Sequence, residues 1–327
     1  MRVSDLFYWR AALPADAPVR KTLLVHDAGS LPAERAGRSL ILIHGHYWRD
    51  GAGHDFDPGE RSFLFEPFRG DGRYQELQRH YAIFTFLYPT HASYEFSSVG
   101  LADAIRRQLP ASSGERDLTI VAHSMGGLVA RYALQHQGIG DRLRSLVTLA
   151  TPHHGTILAS MIMANRAVRR KVGWLGYLLQ RLGRRIWCPS PGMAGMAADN
   201  ADLRIAPHEE KHFGITVNHR LAALNLSDPY IDRLVCVMGR VRGWWMRGRN
   251  FWDQIPRWFM GRLDPVFRGL DPLVHLESGL AEGLPVAARH VLDDLDHEGI
   301  VTAPQTHEIL YRLLLPTQED ELAAEVG

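Results

Sequence analysis

Residues Leu118–Arg131 read LTIVAHSMGGLVAR, and their order decides the fold. Leu118, Ile120 and Val121 make an apolar run of strand length, and a helical pattern opens at Met125. Between them lies a sharp turn carrying Ser124, with Ala122 two residues before it and Gly126 and Gly127 after it. Only small side chains let a strand and a helix pass so closely, and the tight turn pushes the serine hydroxyl outward. The helix start behind Ser124 offers unpaired N–H groups and a partial positive charge, which suits an anionic oxygen. A surface serine in a Gly-rich turn would lack the buried strand before it and the amphipathic helix after it.

Outward from this stretch, strands and helices alternate. Lys21–His26 (KTLLVH) reads as an edge strand, and Ser39–Ile43 (SLILI) as a parallel strand buried on both faces. Tyr81–Tyr88 (YAIFTFLY) is a strand stopped by Pro89, and Leu143–Leu149 (LRSLVTL) is another. Leu234–Val241 and Arg289–Asp294 continue the series. Helical spacing appears near Tyr74–Leu77 and over Pro304–Leu315. It also appears over Val99–Leu109, where Val99, Ala102, Ile105 and Leu109 share a face. The alternation predicts an α/β fold with a mostly parallel, doubly wound sheet.

The residues at the turn resemble the nucleophile elbow of the α/β-hydrolases, in the lipase-like form (Ala/Gly)-His-Ser-Met-Gly-Gly. Ala122 stands where Gly is commoner. IHGH at 43–46 and ATPHHG at 150–155 also resemble lipase signatures. The resemblance runs from about Ser39 to Leu315. It is to lipase-type serine hydrolases, including those similar to GPI inositol-deacylases and bacterial triacylglycerol lipases. It implies a serine carboxylic-ester hydrolase without a cofactor, and a catalytic order of Ser, then acid, then His. Ser124 is the expected nucleophile.

His297, in LDDLDHEGIV, follows the last strand and is the expected base; His307 falls inside the closing helix and His290 begins the strand. Asp271, in GLDPLVHLESGL, resembles the family's acid motif, with Pro272 and Leu270 as departures. Asp264, in GRLDPVF, repeats the Asp-Pro step and stands as the alternative; both fit plain turns as well. The resemblance assigns the oxyanion donors to the N–H groups of Met125 and His46. His153 and His154 read as structural or crevice-lining. Asp50, Asp55, Asp57 and Glu60 lack EF-hand order, so no metal is expected.

The chain of 327 residues reads as one domain over 1–327 with two insertions: a lid over 157–213 and a Trp/Arg-rich cap over 242–270. Trp244, Trp245, Trp252 and Trp258 alternate with Arg242, Arg247, Arg249 and Arg257. This composition serves a membrane interface or a cap packed over the pocket; it also serves single-stranded nucleic acid. A formal net charge of +1 argues against a nucleic-acid partner. The substrate expectation is an apolar or lipid-like ester, with peripheral membrane contact through 242–268. An acyltransferase with the same residues and a non-catalytic membrane-binding module are the alternatives. With 2 cysteines, no basic-then-apolar leader at the start and no long apolar run, the expected location is cytoplasmic.

Overall fold

The computed structural model describes residues 22–46, 65–90, 92–109, 116–156, 159–160, 190–198, 218–240 and 273–315. Seven strands form one sheet in the order β1-β3-β2-β4-β5-β6-β7. They are β1 (Leu23–His26), β2 (Ser39–Ile43), β3 (Ala82–Leu87), β4 (Leu118–His123), β5 (Leu143–Leu149), β6 (Leu234–Arg240) and β7 (Ala288–Asp293). Only β1 runs antiparallel, at the edge against β3; every other pair is parallel. Among the described residues, no helix is long and apolar enough to cross a membrane.

The central strands are buried along their whole length because helices cover both faces. Alternation in β2 sorts the two layers. Ile41 and Ile43 join a core with α2 (Tyr94–Gln108) and α3 (Met125–His136), while Leu40 and Leu42 face the other way. That second core holds Tyr74 and Leu77 of α1 (Tyr74–His80) and Leu310, Tyr311 and Leu314 of α5 (Pro304–Leu314). Helix α4 (His219–Leu226) joins the first core through Leu221 and Leu224. Strand β7 is the far edge, and its residues alternate between partly buried and exposed.

Helix α2 departs from the expected reading. It begins at Tyr94, where the Ser93 hydroxyl accepts from the Phe96 N–H at 3.3 Å. Its buried face runs through Tyr94, Ser98, Leu101, Ala102 and Ile105, so Val99 falls off that face and is 40% exposed. Ala102, Ile105 and Leu109 are buried as expected, and Val99 alone is displaced, because Ser97, Ser98 and Gly100 occupy core positions. A Cβ on Gly100 would lie 2.4 Å from the Thr22 methyl group, so the chain entering β1 presses directly on this helix.

Candidate active site

Ser124 joins β4 to α3 with φ 52° and ψ −127°. This left-handed conformation is strained for a residue with a Cβ, and it projects the side chain from the carboxyl edge of the sheet. Three hydrogen bonds hold the turn. The Ser124 N–H donates to Leu149 O at 2.9 Å, and Ser124 O accepts from the Gly127 N–H at 3.1 Å. The Thr151 hydroxyl donates to the same carbonyl at 2.9 Å.

The glycines have identifiable reasons. A Cβ on Gly127 would stand 2.1 Å from Thr151 Oγ1, and one on Gly126 would stand 2.5 Å from His44 O. Thr151, in the ATPHHG stretch, therefore supports the elbow, a role that sequence spacing gave no sign of.

The side chains of Ser124 and His297 meet: His297 Nε2 lies 2.9 Å from Ser124 Oγ, across 173 residues of chain. Both are buried, at 6% and 7% exposure. His297 sits on the loop after β7, which turns at Asp294 with φ 60°. The Gly299 N–H donates to Asp296 Oδ1 at 2.6 Å at the loop's other end.

Met125 is the first residue of α3, so its N–H has no partner within the helix. The loop after β2 runs close beside it. A Cβ on Gly45 would lie 2.7 Å from Ser124 Cβ and 2.8 Å from His123 Nδ1, so the backbone leading to His46 passes directly against the serine. Tyr88 fixes that loop. Its hydroxyl donates to His44 O at 2.9 Å, and its ring stacks on the His44 ring at 4.5 Å. His44 Nδ1 lies 2.8 Å from Gly45 O.

Asp271 and Asp264 lie outside the described residues, as does the Trp/Arg stretch 242–268. Of the first insertion, 159–160 and 190–198 are described. The latter packs tightly: a Cβ on Gly192 would lie 2.3 Å from Thr90 O and 3.3 Å from Met125 Sδ. Among the described residues, no three His, Cys, Asp or Glu side chains are grouped to hold a metal.

Of the adjacent histidines of ATPHHG, His154 is partly buried, with Nε2 2.9 Å from Glu282 O. His153 is buried, with Arg131 Nη1 3.2 Å from its Nδ1 and Thr148 Oγ1 3.1 Å from its Nε2. A guanidinium only donates, so Nδ1 accepts and Nε2 carries the proton. Burial, then the Arg131 charge, pushes the His153 pKa well below its ordinary value. His123, the last residue of β4, is also buried and likewise held well below, by burial and then by His297.

These two neutral imidazoles predict acid sensitivity. Unfolding exposes them to water, where they protonate below about 6.5, so the unfolded chain binds more protons than the native one there. Stability is full above that pH and falls as pH drops below it, with a slope of up to about 1.4 kcal/mol per pH unit for each group. Melting temperatures measured downward from neutral pH check this. His153→Gln is expected to melt lower at pH 7 but to lose less on acidification.

A seven-stranded sheet with one antiparallel edge, a strained serine on the β4–α3 turn and a histidine after the last strand define the α/β-hydrolase fold. Comparison with known proteins agrees. A family model described as the PGAP1-like alpha/beta domain matches residues 98–167, which include the elbow and ATPHHG. The mature lipase BlEst2 of Bacillus licheniformis superimposes with a TM-score of 0.52 at 18% identity, covering 90% of this chain and 98% of that one. Phospholipase PlaB from Legionella pneumophila gives 0.51 at 14% identity, covering 86% of this chain and 61% of that one. At such identities the likeness establishes the fold. A search of curated proteins by sequence finds no significant match.

Proposed function

We propose that this protein is a serine carboxylic-ester hydrolase acting on an apolar or lipid-like acyl ester. The observation that carries the reading is the 2.9 Å approach of His297 Nε2 to Ser124 Oγ on a strained elbow. A serine hydroxyl is a weak nucleophile at neutral pH and needs such a base in hydrogen-bond reach. Ser124 Oγ attacks the ester carbonyl while His297 Nε2 takes its proton. The tetrahedral oxyanion lies against the Met125 N–H and the N–H of His46. The C–O bond to the alcohol breaks, and His297 protonates the leaving oxygen. Water then attacks the acyl-enzyme, giving its proton to His297, and Ser124 regains its hydrogen as the acid departs.

Asp271 is the acid we assign to His297 Nδ1. Leu273 supports it over Asp264, because its carbonyl accepts from the Thr156 hydroxyl at the carboxyl edge of the sheet. In sequence Asp271 is two residues from Leu273 and Asp264 is nine. The lipid-like substrate class is supported by the two insertions and by the lipase and phospholipase among the structural relatives. Residues 242–268 are proposed as a peripheral membrane contact.

A p-nitrophenyl ester chain-length series on wild type, Asp271→Asn and Asp264→Asn tests the acid and the substrate class together. Asp271→Asn is expected to lower kcat by about 10⁴-fold, since the base would lose its oriented tautomer. Asp264→Asn is expected to stay near wild type. The reverse pattern moves the acid to Asp264. Equal turnover of acetyl and long-chain esters argues against an apolar acyl substrate.

A further inference from the structure

His123 precedes the nucleophile, yet its side chain reaches the far end of the catalytic pair. Its Nε2 lies 2.8 Å from the backbone carbonyl oxygen of His297, across 174 residues. Its ring lies against the His297 ring, with centroids 4.7 Å apart and planes tilted by 49°. We propose that His123 is a positioning residue: its Nε2–H holds the His297 carbonyl, and its ring sets the plane in which His297 presents Nε2 to Ser124. This rests on Ser124 and His297 being nucleophile and base.

The hydrogen bond determines the tautomer. A carbonyl oxygen only accepts, so Nε2 must carry the proton. Nδ1 is buried with no hydrogen-bond partner among the described residues, so a second proton there would be an unpaired buried charge. His123 is therefore a neutral imidazole that donates in one direction. Neutrality also matters to the reaction. When His297 takes the serine proton it becomes a cation, and a charged ring beside it would oppose that step.

Position explains why this residue is suited to the role. His297 is on the loop after β7, whereas His123 ends a buried central strand. The same ring closes the space above Gly45, where any Cβ would meet Nδ1 at 2.8 Å. One side chain thus touches the base and the oxyanion loop, and its backbone continues into the nucleophile. The fully buried donor leaves the His297 carbonyl without that partner if it is removed. A displacement of about 1 Å at a base costs on the order of 100-fold in rate.

The test compares wild type, Ser124→Ala, His123→Phe and His123→Gln on p-nitrophenyl butyrate. Phe keeps the ring and removes the donor; Gln places an amide N–H at similar reach. His123→Phe is expected to lower kcat about 10- to 100-fold with KM nearly unchanged, with a melting temperature that falls but stays above the assay temperature. His123→Gln is expected to restore most of that loss. A Ser124-dependent His123→Phe enzyme with wild-type kcat, or a folded His123→Gln as impaired as His123→Phe, overturns the proposal. A second measurement needs no folded variant. In ¹⁵N-histidine-labelled wild type, His123 is expected to stay a neutral Nε2–H tautomer as pH falls through about 6.5, where a free imidazole protonates, and protonation there overturns the proposal. Full turnover by Ser124→Ala instead removes the underlying reading of the nucleophile.

Discussion

Replacing Ser124 with alanine is expected to lower kcat on a p-nitrophenyl ester by about 10⁴-fold or more. The melting temperature should hold or rise, because alanine keeps the Cβ, and so the same backbone strain at φ 52°, while leaving no hydroxyl to bury there. The size of the loss follows from the role. Without Oγ no acyl-enzyme can form, and His297 has nothing to deprotonate except water. What survives is whatever the oxyanion donors and substrate binding achieve by themselves. A fluorophosphonate probe should label wild type and leave Ser124→Ala unlabelled, because phosphonylation uses the same oxygen. A variant that keeps wild-type turnover, or a label found on another residue, sinks the serine mechanism.

The second large effect concerns stability. Arg131 on α3 is 1% exposed and pairs with Asp228, Nε to Oδ2 at 3.0 Å. Its other nitrogens donate to Asn225 Oδ1 at 2.8 Å and to Leu224 O at 3.2 Å, and face His153 Nδ1. One guanidinium thus fastens the elbow helix to the segment entering β6 and to the ATPHHG loop. Arg131→Met keeps much of the volume but leaves Asp228 as a buried charge without its partner. Removing one member of a buried pair costs about 3–5 kcal/mol, a large share of an ordinary domain's 5–15 kcal/mol. A clear fall in the urea midpoint is expected. Adding Asp228→Leu should recover part of it, since the uncompensated charge is then gone. A midpoint unchanged in Arg131→Met would mean that the pair contributes little.

Ser39–Ile43 forms a strand with the expected limits, because a continuous apolar run has no alternative to burial between helices; Leu143–Leu149 also keeps its expected limits, with Arg144 exposed near its start. Val99 shows the opposite case. Its hydropathy suggested a core position, but small polar residues filled the face that β1 and α3 press upon, a choice that only packing makes.

Small residues around Ser124 and the alternation of strands and helices are local features, so the doubly wound α/β fold and the strained turn were legible in the chain, while the place of His297 followed from the resemblance to the hydrolase chain order. Tertiary structure alone decided what holds those residues in register. The Thr151 hydroxyl on the Ser124 carbonyl, Tyr88 beneath the His44–His46 loop, and His123 on the His297 carbonyl each join residues far apart in the chain. No spacing encodes such contacts. They exist because the carboxyl ends of parallel strands converge on one edge, where side chains distant in sequence come within hydrogen-bond reach.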